Sequence, residues 1–159
     1  MRAKLVKENI GNILKPKSKE YINNYISNLT QEEKDDELRG ASIDGQVEVI
    51  RLLIEFGADV NAKGNDDFTS LIYASMGDNK KVVKFLIEAG ADVNAKARNG
   101  STVLMYASMS RNKDIVKLLI ENGADINAKN KYGTTVLRFA YKFSNKEVVD
   151  LLKKYGAKE

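Results

Sequence analysis

Asp59, Asp92 and Asp125 recur at intervals of 33 residues, and carboxylates at a fixed spacing are the first place to look for chemistry in this chain. Paired carboxylates can share a metal ion or divide acid and base roles between them. Here each Asp lies in the same seven-residue context. Gly57-Ala58-Asp59-Val60-Asn61-Ala62-Lys63 returns at Gly90–Lys96 and, with Ile126 for Val, at Gly123–Lys129. A truncated copy, Gly156-Ala157-Lys158, closes the sequence. Units of one stack lie about 10 Å apart, the ordinary helix-packing distance, which is too wide for one metal to bridge neighbouring copies. The Asp residues therefore read as turn formers. Histidine and cysteine are both absent, which removes imidazole bases, thiolate nucleophiles, disulfides and Cys or His zinc sites. Neither Gly-x-x-x-x-Gly-Lys-Ser/Thr nor a strand-bounded Gly-x-Gly-x-x-Gly occurs. Tyr73, Tyr106 and Phe139 share the 33-residue period and could stack bases, but a core role is the favoured reading. No catalytic residue, cofactor site or metal site is assigned, and the chain reads as a non-enzyme.

A fixed period of this length means stacked structural units, each unable to bury its apolar face alone. Within the copy from Ala97 to Lys129, Leu104, Ala107 and Ser108 fall at i, i+3 and i+4 and predict a short helix. Asp114–Ile120 predicts a second helix, apolar on more than one side and therefore central in a stack. Gly123 follows as a helix stop. The other copies keep this register. Leu71, Ala74 and Ser75 match, as do Leu38, Ala41 and Ser42, and Leu137 with Ala140. In the second helices Val49, Val82, Ile115 and Val148 align.

The pattern Gly-x-Thr-x-Leu-x-x-Ala, Ile-Val-x-x-Leu-Leu-Ile, Gly-Ala-Asp-Ile-Asn-Ala resembles the ankyrin repeat. The resemblance runs from about Thr30 to Ala157. It implies an all-α solenoid of stacked helix-turn-helix units with projecting hairpin-like loops. Units are expected near 30–63, 64–96, 97–129 and 130–159, with residues 1–29 as an N-terminal helical cap or arm. The sequence departs from the family pattern in two ways. Thr-Pro-Leu-His becomes Thr69-Ser70-Leu71-Ile72, Thr102-Val103-Leu104-Met105 and Thr135-Val136-Leu137-Arg138. The Gly between the paired helices survives as Gly45 but is Asp78, Arg111 and Ser144 in the later copies, which should alter those turns.

At the N-terminal side, Thr30-Gln31-Glu32-Glu33 is a capping box, so a helix should start near Gln31 and run to about Ile43. Ser18 can cap an earlier helix carrying Tyr21, Ile22, Tyr25, Ile26 and Leu29. Residues 1–17 hold Arg2, Lys4, Lys7, Lys15 and Lys17, interrupted by Glu8, and Pro16 ends any helix there. At the other side, Lys153 stands where Ile54, Ile87 and Ile120 align, so the array is expected to turn an outer face to water after the fourth copy.

The net charge of +4 is small and spread along the chain. No apolar run approaches the roughly 18 to 20 residues of a membrane span, and no signal-peptide core follows the N-terminus. An intracellular, cytoplasmic protein that is monomeric and does not engage membranes is expected.

The resemblance implies partner binding through loop tips and the inner face of the first helices. The informative residues are those that differ between copies or are apolar where water is expected. These are Ile43, Met76, Met109 and Lys142 at the ends of the first helices, with Asp44 and Phe143 after them. At the tips they are Asp66, Phe68, Arg98 and Tyr132, and Arg111 lies nearby. Methionine adapts to irregular partners, and aromatics dominate interface energetics. The expected function is a non-catalytic module that holds a protein or peptide on its concave face. A nucleic-acid-binding protein using the basic arm and Lys-rich tips is the less favoured alternative, and it predicts affinity that falls steeply with salt.

Overall fold

The computed structural model describes residues 19–110 and 112–159. The expectations for residues 1–17, for Ser18 as a cap, for the side chains of Tyr21 and Ile22, and for Arg111 lie outside those residues. After a first helix α1 (Lys19–Ser27), four helix pairs follow among the described residues. They are α2 (Gln31–Asp44) with α3 (Val47–Glu55), α4 (Ser70–Met76) with α5 (Lys80–Glu88), α6 (Val103–Ala107) with α7 (Lys113–Glu121), and α8 (Val136–Lys142) with α9 (Lys146–Lys154).

Each boundary has a local cause. The Thr30 hydroxyl accepts from the Glu33 amide while the Glu33 carboxylate accepts from the Thr30 amide, closing the capping box at α2. Thr69, Thr102 and Thr135 cap α4, α6 and α8 through their hydroxyl oxygens, so these helices start without the proline. Asn79, Asn112 and Asn145 cap α5, α7 and α9, a period the sequence reading missed. Gly57, Gly90, Gly123 and Gly156 take φ of 88°, 92°, 89° and 85° and stop the outer helices.

The first helices pack in a row, α2 on α4 on α6 on α8, and the second helices form a parallel row from α3 to α9. Between the rows lies one continuous core, in which Leu38, Leu71 and Leu104 on the inner row and Ile50, Leu86 and Leu119 on the outer row are fully buried. α1 packs on α3 and buries Ile26, with Tyr25 and Leu29 half-buried beside it. The aligned Ile54, Ile87 and Ile120 are half-buried rather than fully buried, and Lys153 at the same position is exposed.

Side-chain amides tie one unit to the next. Asn61 donates to the Gly90 carbonyl (3.1 Å) and accepts from the Asp92 amide (2.8 Å). Asn94 repeats this with Gly123 (3.0 Å) and Asp125 (2.8 Å), and Asn127 accepts from Lys158 (2.9 Å). Within the first unit Gln31 and Asp35 of α2 make the equivalent bonds to that unit's own Gly and Asp. Gln31 donates to the Gly57 carbonyl (2.9 Å), and Asp35 accepts from the Asp59 amide (2.7 Å). Asp59, Asp92 and Asp125 themselves accept from the amides two residues on (2.8, 2.8 and 2.9 Å), as expected of turn formers.

The loop tips are joined by backbone bonds from Arg98 N–H to the Asp66 carbonyl (2.8 Å) and from Lys131 N–H to the Asn99 carbonyl (3.1 Å). The expected change in the inter-helix turn is seen at Asp78, which stays out of the left-handed region, but not at Ser144, which keeps the left-handed conformation of Gly45 (φ 52° against 74°). A side chain in that region costs about 1–2 kcal/mol, which glycine avoids. Ser144→Gly should therefore raise stability by about 1 kcal/mol, measurable as a higher urea midpoint at unchanged slope.

Candidate functional site

The residues singled out from the sequence divide once their surroundings are known. Ile43 and Met76 sit at matching ends of the neighbouring helices α2 and α4 and are 58% and 43% exposed. Phe143, just after α8, is 44% exposed, with Asp44 and Lys142 exposed beside the same helix ends. Tyr132 projects from its loop tip and is 78% exposed. Ile43, Met76, Phe143 and Tyr132 are thus large apolar or aromatic side chains exposed to water.

Met109 and Phe68 behave differently. Met109 is half-buried against the core. It lies in the turn beyond α6, which stops at Ala107, whereas α4 runs on to include Met76. Phe68 is also half-buried, wedged between Tyr73 and Tyr106 with ring centroids 5.2 and 5.0 Å away. Tyr106 is buried, and its hydroxyl accepts from the Asn99 amide group (3.3 Å), so the aromatic series belongs to packing between units. Asp66 and Arg98 are spent partly on each other, their charged groups 3.0 Å apart and both exposed.

Charge is distributed unevenly along the inner row. α2 carries six carboxylates and two cations, a net charge of −4 in a chain of net +4. α4 and α6 carry no charged side chain, and α8 carries Arg138 and Lys142, a net charge of +2. The face therefore runs from negative to positive. The row of Lys63, Lys96 and Lys129 is exposed but alternates with exposed Asp59, Asp92 and Asp125, so it makes no one-signed stripe.

A groove of about 800 Å³ lies at the negative end, between α2 and the loop after Ala62, with Glu32, Asp36, Arg39, Ile43, Lys63 and Tyr73 among its walls. Sequence reading missed it, although its signal is present in the alignment of the copies. The copies also differ at the position shared by Arg39, Ile72, Met105 and Arg138. It is fully buried in the two inner copies, half-buried at Arg39 and exposed at Arg138. On the last unit, Lys153 lies 5.4 Å from the Tyr141 ring centroid. A hydrogen bond with Tyr141 is the main cause that holds its ammonium above the ordinary lysine pKa.

Among the described residues no cluster of acidic side chains could hold a metal ion, and no helix is long and apolar enough to cross a membrane. No curated protein matches the chain. A family model for ankyrin repeats (3 copies) matches residues 14–97 and 95–159. Such repeats are generally protein–protein interaction modules and typically non-catalytic. With helix pairs, stops and loop tips all in the register of that pattern, the chain belongs to the ankyrin repeat family.

Proposed function

We propose that this protein is a non-catalytic binding module that clamps a protein or peptide segment on the face formed by the first-helix ends and loop tips. The observation that carries this reading is the pair Ile43 and Met76. Both are exposed at equivalent ends of two packed helices, whereas the other large aliphatic side chains among the described residues are buried or half-buried. The face is built on a rigid, pre-ordered frame, so little ordering free energy is lost on binding. Its negative-to-positive gradient gives the partner one direction of approach. On the same reading the binding domain is 30–159, with 1–29 as its cap. The cap assignment is supported by the burial of Ile26, on α1, where that helix packs on α3.

The test is the double variant Ile43→Asp with Met76→Asp. Both residues already face water, so helical circular dichroism and the thermal midpoint should be unchanged. Partner capture, quantified by mass spectrometry of material retained on immobilised wild-type and variant chains, should fall at least about tenfold. Equal retention by the two chains would sink the proposed face.

A further inference from the structure

We infer that the groove beside Gly40 is a receptor slot for one bulky apolar side chain, aromatic by preference, on a peptide that carries a Lys or Arg next to it. The inference rests on the concave-face reading and names the chemistry of one part of that face. Gly40 occupies the position held by Tyr73, Tyr106 and Phe139 in the other copies. In two of those copies the ring lies against loop residues, Tyr73 on Phe68 and Tyr106 on Phe68 and Asn99. At Gly40 a Cβ would meet no atom within 4 Å. The space is the groove described above, and Tyr73 of the next unit forms one wall of it. A ring placed there would extend by one member the row of Tyr73, Phe68 and Tyr106, whose centroids are spaced 5.2 and 5.0 Å.

Two further substitutions shape the slot. Arg39 replaces the buried Ile72 and Met105, and its guanidinium donates to the Ala62 carbonyl (3.4 Å) and pairs with Asp36. Gly64 stands where later copies have Ala97 and Asn130, and a Cβ there would lie 2.6 Å from the Arg39 Nε. Two substitutions in the first unit and one at the start of the second thus surround one opening, with exposed Ile43 at its rim. The charge of the occupant follows from α2. Its net −4 is the most negative stretch of the inner row, and Glu32 faces the groove from an exposed position. A basic side chain beside the apolar anchor is favoured there, and an acidic one is repelled.

The experiment uses the full chain and a displayed library of random linear peptides as the probe. Peptides selected on the wild-type chain should share Trp, Tyr, Phe or Leu adjacent to Lys or Arg. Their affinity should fall at least about tenfold for Gly40→Tyr, which fills the slot as the other copies do. Gly40→Ala leaves the slot open and should bind normally, and neither variant should lower the thermal midpoint. Glu32→Lys should weaken the same peptides, most at low salt.

The inference is overturned by a consensus lacking the apolar anchor or the cation, by equal binding to Gly40→Tyr, or by a library that yields no binder. Peptides indifferent to Gly40→Tyr but lost on Ile43→Asp with Met76→Asp would overturn the slot while leaving the concave face standing. Peptides indifferent to both would remove the two together. Two outcomes would assign the slot to a different occupant and so overturn it as a partner site. One is self-association abolished by Gly40→Tyr, read by sedimentation. The other is displacement of the selected peptides by a synthetic peptide with the sequence of residues 1–18.

Discussion

Met105→Arg should unfold the stack under conditions where the parent chain is folded, with a loss on the order of 3–5 kcal/mol. Met105 is fully buried in α6, which packs between α4 and α8, and no carboxylate belongs to any of those three helices. A guanidinium forced into that layer finds no counter-ion and cannot lose its proton at any accessible pH. Since a domain of this kind holds about 5–15 kcal/mol in total, the loss is a large part of its stability. Arg138→Met is the control at the equivalent position of the last unit. There the side chain is exposed, and the change should stay within about 0.5 kcal/mol. Urea titration followed by circular dichroism measures both. An unchanged midpoint for Met105→Arg would contradict the burial described above.

Leu104→Ala removes a fully buried side chain from the same helix and should cost about 2–5 kcal/mol. Its position gives the loss a second signature. In a stack each unit leans only on its neighbours, so weakening an inner one separates the two halves. Hydrogen exchange should then show protection in α2 to α5 and in α8 to α9 falling unequally, relative to the parent chain. A uniform loss across all helices would mean that the units fold as one cooperative block.

The fold was largely legible because its determinants are local and repeated. The capping box at Thr30, the stops at Gly57, Gly90, Gly123 and Gly156, and the spacing of Leu71 with Ala74 each act within one turn of chain. The site was less legible because exposure depends on where a helix ends, and that is settled between units. Met76 and Met109 are the same residue at aligned positions. One closes a seven-residue helix and faces water, while the other follows a five-residue helix and folds onto the core. Phe68 looked like a free tip residue until its contacts with Tyr73 and Tyr106 placed it between two units. The pairing of Asp66 with Arg98 likewise joins residues 32 positions apart. What a residue lacks is harder still to see. Gly40 reads as a weak helix former in its own segment, and only alignment with Tyr73, Tyr106 and Phe139 turns it into an opening.

The asparagine contacts between units bear on how such a gene can change length. Asn61 and Asn94 each reach the backbone of the following copy and no farther. A duplication or deletion of one whole 33-residue period leaves every donor facing an equivalent acceptor. An insertion of one or two residues in a loop shifts every later contact out of phase. Mutation by whole-copy exchange is therefore nearly silent to the scaffold, and the inner copies can be gained, lost or shuffled. The first unit is different, because its Gly57 and Asp59 are held by Gln31 and Asp35 of its own α2 in place of an asparagine from a preceding copy.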